Sequence, residues 1–231
     1  MIIKDGAIFI ADSHYNKKRA ILLDILTKIN LNEISTKQLF LMGDMFDFLS
    51  QEIDYFKNIN SEIITLINNL SINIEIIYFE GNHDFNLEQI FPKINIVSRK
   101  KQPLEIMQEN KQILLAHGDI FTPMGYNIFS IIFRNHYFLK FLNFIDKNNF
   151  LSKKSEEKLI SKNICHEQKN FTQFIENRIE LYNTDLIIEG HFHQGYQDDR
   201  YINLPSLACD GRYMVYKDKK FTFTQLKHFK V

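Results

Sequence analysis

The chain is poor in cysteine and has no excess of charge of either sign. Only Cys165 and Cys209 occur in its 231 residues, and they lack a metal-binding spacing. This usage favours free thiols in a reducing, cytoplasmic setting over a disulfide between the two. The 28 basic and 28 acidic residues balance to a formal net charge of zero. No overall field therefore recruits nucleic acid, which we do not expect as a partner.

Long hydrophobic runs are also missing. The first residues, Met1 to Asp5, lack the basic and apolar regions of a signal peptide. No apolar run reaches the roughly 18 residues that a membrane-spanning helix needs. We therefore expect a protein that at most rests on a membrane surface. Its length and its 45% hydrophobic content fit a single domain, residues 1–231.

Apolar strand-like runs alternate with helical patterns along the chain, which predicts an α/β fold with a layered sheet. Strands are predicted at 7–10, 39–42, 74–79, 113–116 and 186–188, with short strands near Tyr201, Tyr213 and Phe221. Helices are predicted over 17–29, 53–70 and 156–182, with a hairpin-like region at 94–107. We interpret the phenylalanine-rich, helical stretch at about 121–182 as an insertion within the single domain.

Oxygen and imidazole donors follow five of these predicted strands. The motifs are DSH at 12–14, GDMFD at 43–47, GNHD at 81–84, HGD at 117–119 and GHFH at 190–193. Open α/β sheets collect their active-site groups at the carboxyl ends of the strands. We therefore expect the motifs to meet, and we interpret Asp44 as a carboxylate shared by two metal ions in a phosphoesterase site.

This ordered set of motifs resembles the calcineurin-like metallophosphoesterase superfamily. The resemblance implies a four-layer α-β-β-α sandwich of two mixed sheets with helices outside. It also implies two ligand shells: Asp12, His14, Asp44 and His193 form one, and Asp44, Asn82, His117 and His191 form the other. Mixed imidazole and oxygen ligands favour Mn²⁺, our first expectation, or Fe²⁺ or Zn²⁺, over Ca²⁺.

Within the superfamily, the chain length and the helical insertion after HGD resemble the UDP-2,3-diacylglucosamine pyrophosphohydrolases of lipid A biosynthesis. This implies cleavage of that nucleotide-sugar lipid at its pyrophosphate, a helical lid over the acyl chains, and peripheral contact with the cytoplasmic face of the inner membrane. His83 stands where the best-known branch commonly carries arginine. Two alternatives stay open: a general phosphodiesterase or phosphatase acting on nucleotides or phosphoproteins, and an inactive scaffold of the same fold.

The remaining candidate residues surround the predicted ligands. His83, paired with Asp84, is predicted to protonate a leaving oxygen or to bind the phosphate, with a merely supporting hydrogen bond as the alternative. Asp47 and Asp119 are predicted to orient imidazoles or anchor loops, although Asp119 could instead cap the next segment. In the insertion, contacts with the substrate are predicted for Phe129, Phe133, Arg134, Lys140 and Lys147. Basic amphipathic helices also bind anionic lipid, and ordinary core packing is the competing interpretation.

Overall fold

Two mixed β-sheets form the centre of the computed structural model, which describes residues 1–122 and 124–226 apart from the side chains of Tyr126 and Phe129. The first sheet contains, in spatial order, β11 (Lys220–Gln225), β10 (Arg212–Lys217), β1 (Ala7–Ile10), β2 (Gln38–Leu41), β3 (Glu75–Phe79) and β4 (Asn95–Val97). The second contains β5 (Leu104–Gln108), β6 (Lys111–Ala116), β7 (Leu186–Glu189), β9 (Tyr201–Asn203) and β8 (Tyr196–Gln197). Strands β1 to β4 run parallel, as do β6, β7 and β9.

Helices cover both outer faces of the sandwich. They are α1 (Ile21–Asn30), α2 (Asp54–Ile59), α3 (Ser61–Leu70), α4 (Met124–Phe133), α5 (His136–Ile145), α6 (Phe150–Ser161), α7 (Phe171–Tyr182) and α8 (Leu207–Asp210). No helix within the described ranges combines the length and hydropathy that crossing a membrane requires. Helices α4 to α7 all lie between β6 and β7, and we refer to residues 124–182 as the helical segment.

The strand sequences divide their side chains between two cores, because successive residues of a strand point to opposite faces. Phe9 and Phe40 stack at 4.3 Å between the sheets, in a core that also holds Leu115 and Ile188 of the second sheet. Ile8, Ile10, Leu39 and Leu41 point the other way and pack against α1 and α3. Helix α7 packs on the outer face of the second sheet through Ile175 and Ile179. The four-layer α-β-β-α sandwich is therefore confirmed.

Several predicted elements are wrong in detail. Helix α1 begins at Ile21 rather than at residue 17, because the Asn16 side chain accepts the N–H groups of Lys18 and Arg19 and closes a turn. The predicted helix over 53–70 divides at Asn60, whose side-chain amide donates to Phe56 O at 2.8 Å. Residues 94–107 form no hairpin, since β4 pairs with β3 and β5 pairs with β6 in the other sheet.

The predicted helix over 156–182 is wrong as well. Helix α6 ends at Ser161 and α7 starts at Phe171, so residues 162–170 form an irregular connection. Polar groups of this connection form hydrogen bonds with a neighbouring loop instead of within a helix. Ile164 O accepts from His193 Nδ1 at 2.9 Å, and Gln168 N–H donates to Gln194 Oε1 at 2.9 Å. These hydrogen bonds to the His193 loop explain why the backbone is not helical here although the apolar residues keep a helical spacing.

Candidate metal centre

Five strand-end turns meet at one edge of the sandwich and bring the predicted ligands into two clusters. The first donor group is Asp12, His14 and His193, and the second is Asp44, His117 and His191, each with its ligand atoms within 4.8 Å of one another. Asp44 Oδ2 lies 3.9 Å from His14 Nε2 and 3.6 Å from His117 Nε2. Asn82 Oδ1 lies 3.3 Å from His117 Nε2. One carboxylate oxygen thus faces both groups, an arrangement that suits a ligand shared by two ions.

The backbone is left-handed at five of the seven predicted ligands. The φ angles are 51° at Asp12, 40° at His14, 54° at Asp44, 65° at His191 and 61° at His193. Such angles cost non-glycine residues roughly 1–3 kcal/mol each and persist only where the surroundings impose them. Hydrogen bonds between the turns do so here: Asp12 N–H donates to Gly43 O at 3.2 Å, and His14 N–H donates to Asp44 O at 3.0 Å. Strained backbone concentrated at these residues is typical of a functional site.

Two glycines let the turns approach this closely. A Cβ atom at Gly43, where φ is +90°, would lie 2.4 Å from His117 Nδ1. A Cβ atom at Gly81 would lie 2.2 Å from Asp44 Oδ1. Both distances are far below van der Waals contact, so any side chain at either position would displace a predicted ligand.

Backbone carbonyls set the orientation of two imidazole rings. His117 Nδ1 lies 2.9 Å from Met42 O, and His193 Nδ1 lies 2.9 Å from Ile164 O. Because a carbonyl only accepts, Nδ1 carries the hydrogen in both rings. Nε2 is therefore the ring atom directed into the site, and proteins present histidine to a metal through this atom once it is deprotonated.

Burial and mutual charge shift the acidities of the donors. Burial alone would raise the pKa of Asp44, but His117 and His83 outweigh it and hold that pKa well below its ordinary value. Burial opposes protonation of His117 too, yet the Asp44 carboxylate raises the pKa of His117 to about 10. Burial lowers the pKa of His14 to about 3 and that of His191 to about 4. Burial also opposes protonation of His193, but the Asp12 carboxylate outweighs it and raises the pKa of His193. His14 and His191 are thus neutral imidazoles, whereas His117 carries a proton that a bound cation would displace.

Buried polar atoms without hydrogen-bond partners also point to a cation at the site. Within the part of the chain that the structure describes, Asp12 Oδ1 and His14 Nδ1 are buried without a hydrogen-bond partner. Leaving such an atom unpaired costs roughly 1–3 kcal/mol, more for a charged group. A cation at the first donor group would supply the partner that Asp12 Oδ1 lacks, so this group fits a divalent ion.

Asp84 organises the turn that carries Asp44. Its buried carboxylate accepts from the backbone N–H groups of Asp44, Met45 and Gly81, at 2.9, 2.6 and 3.0 Å, and from the hydroxyl of Tyr78 at 2.6 Å. The predicted pairing of His83 with Asp84 is therefore wrong, because these donors already occupy the carboxylate. His83 Nδ1 donates instead to Asp47 O at 2.7 Å. Sequence reasoning missed Tyr78, which lies in an apolar run and resembles an ordinary core residue.

Asp47 and Asp119 lie beside the donors, each in an ion pair with arginine. Asp47 contacts Arg19 at 2.6 Å and lies 3.7 Å from His14 Nδ1. Asp119 contacts Arg99 at 2.9 Å and Arg134 at 3.4 Å. Their predicted role in orienting imidazoles or anchoring loops stays a prediction. Arg19 had no sequence signal, since a basic residue at the start of a predicted helix is usually solvated.

The predicted substrate contacts occupy different surroundings. Arg134 donates to Gly81 O at 2.5 Å, so it reaches the backbone of the GNHD turn. Lys140 and Lys147 are exposed. Phe133 lines the cavity described next. The side chain of Phe129 lies outside the described residues. Substrate binding by this set stays a prediction.

A cavity of about 800 Å³ opens beside the donors. It begins at Asn82 and His83 and continues between the sandwich and the helical segment. Its walls include Phe48, Ile53, Phe56, Phe133, Leu139, Leu142 and Leu151, and Lys158 and Lys162 lie among the lining residues. A mostly apolar cavity thus adjoins a polar, charged centre.

The two cysteines are joined, so the expectation of free thiols is wrong. Cys165 and Cys209 form a disulfide across a sequence separation of 44 residues, with Cα atoms 5.5 Å apart. Their spacing gave no signal, because the two cysteines come close only where the 162–170 connection meets α8. Cys165 is exposed and Cys209 is half-buried.

Comparison with known proteins identifies the family. The model of the calcineurin-like phosphoesterases matches residues 7–195. The chain belongs to this family. It is similar to a UDP-2,3-diacylglucosamine hydrolase of Wigglesworthia glossinidia brevipalpis, with 28% identity over 81% of this chain and 79% of that protein. Proteins of the same name from Vibrio atlanticus and Coxiella burnetii are 24% and 26% identical, covering 80% and 85% of this chain and 80% and 84% of theirs.

Solved structures also resemble the chain at low sequence identity. A phosphoesterase from E. coli covers 96% of this chain and 93% of its own, with a TM-score of 0.49 and 14% identity. A dimetal phosphatase from Danio rerio covers 95% of each chain, with a TM-score of 0.45 and 14% identity. Family membership and the hydrolase relatives make this calcineurin-like phosphoesterase a metal-dependent hydrolase, and the family implies a dinuclear site.

Proposed function

We propose that this phosphoesterase hydrolyses the pyrophosphate of UDP-2,3-diacylglucosamine to UMP and 2,3-diacylglucosamine 1-phosphate. The observation that carries the proposal is the apolar cavity of about 800 Å³ that opens directly at Asn82 and His83. Its volume and apolar walls suit acyl chains, while its inner end suits a phosphate. The names of three relatives that align over about four fifths of the chain support the same substrate.

Asp12, His14, Asp44 and His193 would hold one ion, and Asp44, Asn82, His117 and His191 would hold the other. When bound, two divalent cations supply Lewis-acid charge at the phosphoryl oxygens and activate a water. We propose Mn²⁺ as the native metal, with Fe²⁺ or Zn²⁺ as alternatives, because the donors mix imidazoles with carboxylates.

His83 is the proposed group for direct contact with the phosphate. One of its ring nitrogens lies within 4.8 Å of donor atoms of His14 and Asp44, so the ring borders both donor groups. Because Nδ1 donates to Asp47 O, Nε2 is the atom left to face a substrate. A sugar phosphate is a weakly basic leaving group and needs little protonation, so His83 would act mainly by hydrogen-bonding the phosphoryl oxygens.

We also propose peripheral contact with the cytoplasmic face of the inner membrane through the helical segment. Large apolar side chains are exposed there, among them Met124 at 79%, Tyr137 at 81% and Phe144 at 85%. Exposed Lys140, Lys147, Lys153 and Lys154 accompany them. A basic, apolar surface of this kind binds anionic bilayers, and this one adjoins the cavity that a lipid substrate would enter.

Direct assay tests the proposed substrate. UMP release from UDP-2,3-diacylglucosamine should require Mn²⁺ and should exceed the turnover of an acyl-free nucleotide sugar and of bis(p-nitrophenyl) phosphate. Faster turnover of the acyl-free compounds would assign the chain to general phosphodiesterases instead. No metal-dependent turnover of the nucleotide-sugar lipid would refute the proposed substrate.

A further inference from the structure

The Cys165–Cys209 disulfide lies beside the first donor group and joins two segments that both hold it. Cys165 belongs to the 162–170 connection of the helical segment, and Cys209 belongs to α8. One segment contacts His193 and the other contacts Asp12. The disulfide therefore joins the supports of two proposed ligands of one ion. The inference that follows rests on the proposed metal-binding function.

On the Cys209 side, the short helix α8 holds the backbone of Asp12. Ser206 Oγ donates to Asp12 O at 2.8 Å, and the same hydroxyl accepts the N–H of Cys209 at 3.2 Å. Leu207 N–H donates to Ala11 O at 3.0 Å. These bonds fix the residue whose φ is 51°.

On the Cys165 side, the neighbouring residue orients His193. The carbonyl of buried Ile164 accepts from His193 Nδ1 at 2.9 Å, which leaves Nε2 facing Asp12 Oδ1 at 3.3 Å. Gln194 Nε2 adds a bond to His166 O at 3.2 Å. Since residues 162–170 form no regular helix or strand, the disulfide is the covalent anchor of this carbonyl.

Two residues of the second donor group, His117 and Asp44, are supported independently of that anchor, whereas the third, His191, donates its N–H to Asp12 Oδ2 at 2.8 Å. His117 is oriented by Met42 O at the end of β2. Asp44 is held by the Asp84 carboxylate through its backbone N–H. Neither support involves the connection or α8, so a loosened connection would disturb the two halves of the centre unequally.

We propose that Cys165, Cys209 and Ile164 are positioning residues that make one half of the dinuclear centre sensitive to thiol reductants. With the disulfide intact, Asp12 and His193 are fixed for a divalent cation. A dithiol reductant attacks one sulfur, the S–S bond breaks, and the second thiol of the reductant displaces the protein thiolate. Two electrons pass to the cysteines, which take up two protons, while the reductant becomes a disulfide. The connection is then released, and the first donor group loses affinity.

The test measures metal binding rather than turnover. Oxidised protein, with its disulfide verified by thiol counting, is titrated with Mn²⁺ by calorimetry and by electron paramagnetic resonance. The titration is repeated after reduction by a phosphine, which takes its oxygen from water and avoids the chelation that dithiols cause. Reduction should lower the affinity for one ion by roughly 10–100-fold, the range seen when groups supporting a ligand are lost. The spectrum should change from that of a coupled pair to that of an isolated ion, and reoxidation should reverse it.

Two variants complete the design. Cys165→Ser combined with Cys209→Ser should reproduce the reduced state without any reductant. Tyr55→Phe removes the 2.6 Å hydrogen bond from Tyr55 to Glu156, another contact of the helical segment with the sandwich, and should leave both ions bound as in the wild type. Circular dichroism checks that each variant is folded.

The outcomes separate this inference from the proposed function. Equal affinities for both ions in the oxidised, reduced and double-serine proteins would overturn the inference alone, and so would cysteines that cannot be oxidised to a disulfide. Oxidised wild-type protein that takes up no Mn²⁺ would refute the proposed metal centre and the inference with it. Equal weakening in Tyr55→Phe would attribute the effect to general loosening and overturn the role of the disulfide.

Discussion

At the scale of single residues, Asp44 is the carboxylate on which the proposed centre depends. Its Oδ2 faces both donor groups, while Oδ1 accepts from His83 N–H at 2.8 Å. We expect Asp44→Ala to lose both ions and to reduce turnover by at least about 10²–10³-fold, the cost of removing one electrostatic contact at a reacting centre. Elemental analysis of dialysed protein gives the stoichiometry. Two ions retained in the variant would contradict the shared role.

His83 differs from Asp44 in the expected effect. Because its Nδ1 is engaged with the Asp47 carbonyl and its ring only borders the donors, His83→Ala should keep both ions. Turnover should nevertheless fall by roughly 10²-fold, as when a positioned acid or hydrogen-bond donor is removed. Steady-state kinetics on the metal-loaded variant measure this. An unchanged rate would leave His83 with a supporting role only.

The proximity of the proposed ligands could be predicted from sequence, but their hydrogen-bond partners could not. Short polar motifs after apolar runs predicted seven ligand positions, and the structure gathers six of them into the two donor groups with Asn82 beside His117, because strand ends converge whatever lies between them. Their role as metal ligands stays a prediction. Whether His83 pairs with Asp84 or with the Asp47 carbonyl depends on how two turns pack. The same holds for Tyr78, whose hydroxyl reaches Asp84 from a strand that otherwise packs as core.

At the scale of elements, the predicted strands agree closely with the observed strands, and the predicted helices agree less well with the observed helices. The strand at 7–10 was predicted with its observed bounds, since an apolar run flanked by polar residues defines its own limits. The helix expected over 156–182 failed because its middle turns bond to the loop of His193 and Gln194. Helical periodicity indicates which side chains are buried, and Ile164 and Phe171 continue that pattern across the break. It does not show whether the backbone stays helical between them.

Helix α5 is joined to the sandwich by a buried carboxylate. Glu52 accepts from His136 at 2.7 Å, from Asn86 at 3.2 Å and from the Ser50 hydroxyl. Burial favours the neutral acid, but the hydrogen bonds outweigh it and lower the pKa of Glu52. A lowered pKa stabilises the fold above the ordinary value of 4.5 and loses that contribution as the pH falls through the lower, folded value.

We therefore expect Glu52→Gln to reduce the free energy of unfolding by about 1–3 kcal/mol near neutral pH, the cost of unpairing buried polar groups. The difference from the wild type should shrink as the pH falls below the ordinary pKa of glutamate. Urea denaturation at a series of pH values measures it. Exposed Glu88→Gln is the matched control and should stay within about 0.5 kcal/mol of the wild type. A gap that does not change with pH would rule out the carboxylate as its source.

At the scale of the whole molecule, one edge of the sandwich carries the proposed metal donors, and the helical segment lies beside them across the cavity. If the exposed apolar side chains of that segment contact lipid, Phe144→Glu should weaken binding to anionic vesicles by roughly tenfold through lost burial and added repulsion. Vesicle sedimentation measures this. Ile72→Glu, a comparable change at a side chain 65% exposed outside the helical segment, should bind like the wild type. Equal losses in both variants would exclude a specific membrane face.

The cavity lies between the sandwich and the helical segment. Its apolar wall allows acyl-chain binding to be tested separately from phosphate hydrolysis. Leu142 lines the apolar wall and belongs to none of the donor motifs. Leu142→Glu places a carboxylate where acyl carbons would lie, and burying each CH₂ is worth about 0.8 kcal/mol. The kcat/KM for UDP-2,3-diacylglucosamine should therefore fall at least about tenfold, since about 1.4 kcal/mol is a factor of ten in affinity. Turnover of bis(p-nitrophenyl) phosphate, which has no acyl chain, should stay within about twofold. An equal fall for both substrates would mean that the variant disturbs the metal centre, and an unchanged kcat/KM for the lipid would mean that acyl chains bind elsewhere.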